Sequence, residues 1–212
     1  MKSMIIDSKK SSYLFYYPVI IFLLNVIIKI IYLNSRDIAL DEPFTIYYSQ
    51  QKISSIIDML YGENNPPFHF LFMHYWIKLF GIGAFSVRFP SLIFSSVAAV
   101  YIYKTGKKFF SAVAGIAASF IFTLSTMQIY FSHEARVYPL FVMLTAISLY
   151  YYLFIFNDIK RKSSYYILFI CNLILATTAC IMFVAADLVS ARQFDVYFHI
   201  HFPCQRSSRK CW

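Results

Sequence analysis

Apolar residues in this chain gather into long blocks separated by short polar stretches. The blocks cover residues 13–33, 87–103, 111–131, 137–156 and 165–188, each near the ~20 residues that carry a helix across about 30 Å of hydrocarbon. A further apolar stretch, residues 68–80, contains His69, His74 and Lys78 and lies between Pro66-Pro67 and Gly81. It is too short to span and predicts a helix lying in, or dipping into, the membrane interface. Ahead of it, Ile53, Ile56, Ile57 and Leu60 recur at helical spacing with Lys52, Ser54, Ser55 and Asp58 between them, the pattern of a second interfacial helix. The expected fold is all-α: a polytopic membrane protein with about five transmembrane helices, whose first external loop, residues 34–86, carries two amphipathic helices.

Composition supports this class. The 212 residues are 59% hydrophobic and 14% charged, whereas soluble domains keep about a quarter of their residues charged. The net charge of +9 does not point to nucleic acid, because the cations cluster at the ends of apolar blocks rather than on a soluble basic face. Lys2, Lys9 and Lys10 precede the first block as in a secretory signal. That block is longer than a signal core and no small-x-small site follows, so it reads as a retained anchor. Cys171, Cys180, Cys204 and Cys211 show no spacing of a disulfide framework.

Loop charges orient the chain. If residues 68–80 do not cross, three short segments each carry three cations: 1–12 (Lys2, Lys9, Lys10), 104–110 (Lys104, Lys107, Lys108) and 157–164 (Lys160, Arg161, Lys162). All three then fall on one side, as the positive-inside rule requires, and the N-terminus is cytoplasmic in the plasma (inner) membrane. Six of the ten acids, namely Asp37, Asp41, Glu42, Asp58, Glu63 and Glu134, fall on the other side. Function is expected there. Lys29, near the outer end of its helix, is positioned to snorkel.

Three outward clusters carry candidate chemistry. Asp41-Glu42-Pro43 suits a helix N-terminus, where an acid before Pro caps and meets the dipole. One acid suffices for that task, leaving the other for a general base on an acceptor hydroxyl or for a divalent metal. Glu63-Asn64-Asn65-Pro66-Pro67 reads equally as a turn. His74 and Lys78 follow at i, i+4 and would present cations to phosphate, although snorkelling accounts for them as well. In Ser132-His133-Glu134-Ala135-Arg136-Val137-Tyr138, Glu134 and Arg136 are either interfacial charges or a phosphate clamp, for which a planar guanidinium is suited. His199, His201, Cys204 and Cys211 have metal-ligand types without the spacing of a zinc module.

The order of these features resembles the N-terminal part of the GT-C membrane glycosyltransferases. The branch is that of the protein O-mannosyltransferases and lipid A aminoarabinose transferases. The resemblance covers about residues 10–178 and is carried by Asp41-Glu42, the Pro66-Pro67 stretch before an aromatic helix ending Leu79-Phe80-Gly81, Val87-Arg88-Phe89-Pro90-Ser91, and His133-Glu134-Ala135-Arg136-Val137-Tyr138. It implies a transferase taking a sugar from a polyprenyl-phosphate donor to a lipid, protein or polysaccharide acceptor at the outer membrane face. By the resemblance, Asp41 is the catalytic base and Glu42 completes the pair. Arg136, with Lys78 and His74, faces the donor phosphate; Glu63, Asn65, His69 and Glu134 support the site. No nucleic acid and no certain cofactor are implied, and the remaining partners are membrane lipids.

Members of that family run to about eleven spans and over twice this length, and the texture of the chain changes from about Cys180. Residues 189–212 are therefore expected to be a truncated or frame-shifted tail, and the chain a fragment that is inactive alone. The residues also suit a second class, a non-enzymatic multi-pass protein such as a transporter subunit or assembly partner.

Overall fold

A computed structural model describes residues 2–35, 37–38, 41–62, 67–157, 166, 168–170 and 172–173, with side chains from Tyr16 onward. Glu63, Asn65, most of the block 165–188 and the whole tail 189–212 lie outside the described residues. The described residues form eight helices and no strand: α1 Lys2–Ile30, α2 Glu42–Ser49, α3 Ile53–Gly62, α4 Pro67–Phe80, α5 Ala84–Phe109, α6 Ala112–Leu124, α7 Thr126–Ser132 and α8 Tyr138–Asn157.

The all-α expectation holds; several boundaries move. The segment between the first two apolar blocks contains three helices rather than two, because the chain breaks at residues 50–52 and α2 stands apart from α3. In α3, Ile56 and Leu60 are buried while Ile53 and Ile57 stay exposed. Ile56 and Leu60 pack on Phe70 of α4, with Phe44 and Tyr48 of α2 beside them. A second small core joins Ile46 of α2, Met73 and Ile77 of α4, Val87 of α5 and Ala135. The loop helices thus form a cap folded over the start of α5.

α5 is the axis of the bundle and packs against α1, α6 and α8. It is the one described helix long and apolar enough by itself to cross a membrane. It begins before the expected residue 87 and continues through Lys104, Lys107 and Lys108, so those cations sit on its last turns rather than in a loop. Pro90 lies inside it and, lacking an N–H, leaves the Ser86 carbonyl without a helical donor. Trp76 of α4 replaces that donor, its Nε1 reaching the Ser86 oxygen at 2.9 Å, while its ring stacks on Phe89.

The block 111–131 is not one straight helix. α6 and α7 together have the length and composition of a span but are bent by 60° at Ser125. Ser119 and Thr123 back-bond to the carbonyls of Ile116 and Ser119, at 2.9 and 2.8 Å, which weakens a helix just before such a break. At the other end of α6, Gly115 meets Gly106 of α5 backbone to backbone. A Cβ on Gly115 would lie 2.6 Å from the Tyr103 carbonyl oxygen and 2.7 Å from the Lys107 nitrogen. The apolar parts of α1 (Tyr16–Ile30) and α8 (Tyr138–Leu153) are shorter than a full span.

Lys29 does not snorkel. It is fully buried, its Nζ donating to Ser95 Oγ at 2.7 Å and lying 5.4 Å over the Phe122 ring. One turn away, Asn25 donates to Thr123 Oγ1 at 3.0 Å and accepts from Ser96 Oγ at 3.1 Å. A polar seam therefore joins α1, α5 and α6 where hydropathy shows only apolar helix, as expected when polar groups in a membrane bundle turn toward each other.

Near its N-terminus α5 is fastened by a buried ion pair. Arg88 donates through Nε and Nη2 to Glu42 Oε1 and Oε2, at 2.8 and 2.7 Å, with both side chains about 1% exposed. Replacing Arg88 by Met leaves a buried carboxylate uncompensated and should cost about 3–5 kcal/mol, read as a lower thermal midpoint in detergent. A midpoint equal to the parent's would show that the pair is not structural. Gly115→Ala forces backbones apart and should cost about 1–3 kcal/mol in the same assay.

Candidate functional site

The site is built on the entry to α2. Asp41 occupies the N-cap position and Pro43 follows in the first turn, but the Asp41 side chain makes no capping hydrogen bond. Its carboxylate is 71% exposed. Glu42, one residue on, turns inward with Thr45, Ile46 and Ser49, the buried face of α2. The two acids thus have opposite environments.

Glu42 Oε1 accepts from the Ala135 backbone N–H at 3.0 Å as well as from Arg88. Arg88 in turn donates to the carbonyl oxygens of Leu33 and Asp37, at 3.1 and 3.0 Å. This fixes the stretch 133–137 against α2. It brings Arg136 to Asp41, Nη2 to Oδ2 at 3.2 Å, with Arg136 only 14% exposed. The Arg136 guanidinium also lies 5.6 Å over the Tyr138 ring and touches its hydroxyl at 3.4 Å. His133 anchors the same stretch from the other side, Nε2–H donating to the Lys29 carbonyl at 2.7 Å.

The other candidates divide. His69 is buried, and its pKa is pushed down to about 3 by desolvation and then by the positive charge of Arg136, so the ring is neutral near pH 7. Glu134 is also buried and adds negative charge to the field at Arg88. His74 and Lys78 share a helix but not an environment. His74 is buried, its Nδ1–H donating to the Ser49 carbonyl at 2.8 Å, whereas Lys78 is exposed near the Tyr75 ring. Asp41, Arg136, Glu42, Glu134 and His69 are therefore brought to one place, and His74 serves the junction of α2 and α4. Among the described residues no three His, Cys, Asp or Glu side chains gather as a metal group.

Arg88 is the residue that sequence reasoning left without a role. A signal was available: a cation in the first turns of an apolar span needs a partner, and Glu42 shares helical spacing with Ile46 and Ser49.

Chemically, the arrangement offers an exposed carboxylate beside a guanidinium that has N–H groups for an anion, both backed by a neutral imidazole. Because the folded-state pKa of His69 lies below its ordinary value, the unfolded chain binds a proton that the folded chain does not. Stability is then complete above about pH 6.5 and falls as pH drops toward 3. His69→Phe should flatten this fall in a thermal-midpoint series between pH 7 and 4; an unchanged slope would count against a buried neutral His69.

No curated protein and no solved structure matches the chain. A family model described as dolichyl-phosphate-mannose-protein mannosyltransferase matches residues 64–192. That stretch is more than half of the chain, running from just before α4 past Cys180. It holds α4, α5 with Arg88, and the Arg136 segment, the frame on which the paired acids are mounted. The chain belongs to the dolichyl-phosphate-mannose-protein mannosyltransferase family of GT-C-type membrane glycosyltransferases.

Proposed function

We propose that the Asp41–Arg136 pair is the transfer site of a glycosyltransferase that takes a sugar from a polyprenyl-phosphate donor, the donor class of the family's description. The acceptor is a hydroxyl at the outer face. The observation that carries this is the division between the acids: Glu42 is spent on Arg88 and Ala135, while Asp41 is exposed, makes no cap and faces a guanidinium. Five spans with a cytoplasmic N-terminus would put this cap of helices outside, and the cation-rich end of α5 agrees with that direction.

The reaction is a single displacement. The acceptor hydroxyl gives its proton to the Asp41 carboxylate as its oxygen attacks the anomeric carbon. The bond from that carbon to the phosphate oxygen breaks, and its electron pair leaves with the lipid phosphate. Configuration at the carbon inverts. Donor phosphate competes with Asp41 for Arg136, which frees the carboxylate for the acceptor and places a cation where negative charge develops. His69, neutral behind Arg136, adds no competing charge. Glu42, Arg88 and Ala135 act by position. Lys78 is the further exposed cation of the cap and would meet the lipid headgroup.

The test is sugar transfer in membranes containing the protein, using lipid-phosphate-linked mannose as donor. Asp41→Asn should lower transfer about 10²–10⁴-fold with the amount of folded protein unchanged. Arg136→Met should raise the KM for donor as well as lower kcat. Glu42→Gln should reduce folded protein as well as activity. Full transfer by Asp41→Asn would remove the base assignment, whereas no transfer by the parent protein would favour a non-enzymatic membrane protein on this scaffold.

A further inference from the structure

The opposite end of α5 carries a second built feature that the transfer site does not use. Pro18 of α1, Tyr103, Lys104, Lys107 and Lys108 of α5, and Tyr150 of α8 line a cavity of about 360 Å³. Lys104 is sixteen residues beyond Arg88, so the cavity lies about 24 Å along the axis of α5 from the Glu42–Arg88 pair. Lysine and tyrosine side chains line this space, and no carboxylate is among its described lining residues. Lys104 Nζ stands 4.6 Å over the Tyr101 ring, and Lys107 Nζ 5.7 Å over the Tyr103 ring. Aromatic faces hold these cations in place without using their hydrogen-bond donors. Tyr103 is 1% exposed, yet its hydroxyl has no hydrogen-bond partner among the described residues.

A buried phenol without a partner loses roughly 1–3 kcal/mol relative to one that is satisfied, and clustered lysines repel one another. Both defects are removed by the same occupant, an anion with several acceptor oxygens. A phosphodiester fits: it accepts from two or three ammonium groups and from one hydroxyl at once. The surroundings choose its source. Pro18 lies on α1 next to Val19 and Ile20, which are half exposed and apolar, so acyl chains can run along α1 from a headgroup held at the lysines. Basic pockets between helix ends at a leaflet surface are suited to such headgroups.

We propose that this cavity is a binding site for the headgroup of one anionic phospholipid, in the leaflet opposite the transfer site. Lys104 and Lys107 bind its phosphate, Tyr103 donates a hydrogen bond to it, and Lys108 lies at the mouth. The lipid would neutralise the end of α5 and fasten α1, α5 and α8 together there.

The whole chain is reconstituted in nanodiscs of phosphatidylcholine with phosphatidylglycerol as the probe, extracted in mild detergent, and examined by native mass spectrometry for retained lipid. One phosphatidylglycerol should be kept in preference to phosphatidylcholine, and Lys104→Gln with Lys107→Gln should lower that retention on the order of tenfold. Tyr103→Phe, which keeps the ring, should lower it severalfold. Lys52→Gln, which removes one positive charge between α2 and α3, should leave it as it was and serves as a control for a lysine lost away from the cavity. Equal retention of both lipids by the parent, or parent-like retention by the double variant, would overturn the proposal. Displacement of the lipid by millimolar inorganic phosphate would overturn it too, since the site would then take free phosphate rather than a lipid.

Discussion

The helical cap over the start of α5 depends on one buried carboxylate. Taking Glu42 out of water costs several kcal/mol unless its oxygens are fully used. Here they accept from the two arms of Arg88 and from the Ala135 N–H. Arg88 carries the constraint further, to the carbonyls of Leu33 and Asp37. The end of α1, the turn after it, α2, α5 and the segment before α8 therefore meet at a single charged pair. Its location is also favourable for the helices. A cation near the start of α5 opposes the positive end of the helix dipole, and the Glu42 carboxylate offsets both that dipole and its own helix's.

The proposed reactive pair inherits its geometry from the buried one. Asp41 is the residue before Glu42, and Arg136 is the residue after Ala135. Adjacent Cα atoms are about 3.8 Å apart, so fixing Glu42 against Ala135 leaves Asp41 and Arg136 little choice but to face one another. The neighbouring acids are not redundant: burial makes one a strut, and exposure leaves the other able to exchange partners. A mobile ion pair next to a rigid one is what a site needs if Arg136 is to leave a carboxylate for a phosphate without the loops separating.

Much of this was legible in the residues. Apolar block lengths pointed to helices, and α1, α5 and α8 lie over three of those blocks while a fourth is divided between α6 and α7. Asp41, Glu42 and Arg136 stood out because acids and arginine are rare in so apolar a chain. Which acid faces inward was not legible, because it depends on the phase of α2, a helix of eight residues that the pattern merged with α3. The pairing of His74 with Lys78 by i, i+4 spacing described a shared helix face. It could not show that α2 lies over one of the two residues and not the other. The break at Ser125 was hidden for a related reason: Ser and Thr in an apolar run read as neutral until their side chains are seen bonding to the carbonyls behind them.

The polar seam shows most directly where pattern reading ends. Hydropathy treats each helix as though it met lipid on every side, so Lys29 counted as an exception to be explained at the helix end, and Asn25 was not singled out. Their partners, Thr123, Ser96 and Ser95, lie on α5 and α6, 98, 71 and 66 residues away in the chain. Small hydroxyls barely change an apolar average, yet they let a lysine be buried. They also fix α1 in rotation about α5, which sets where the Lys29 carbonyl meets His133 and hence where Arg136 stands. A change of serine to alanine in the seam would look conservative by hydropathy. Its effect would be felt at the far side of the cap, through the Lys29 carbonyl oxygen that ties α1 to the Arg136 segment.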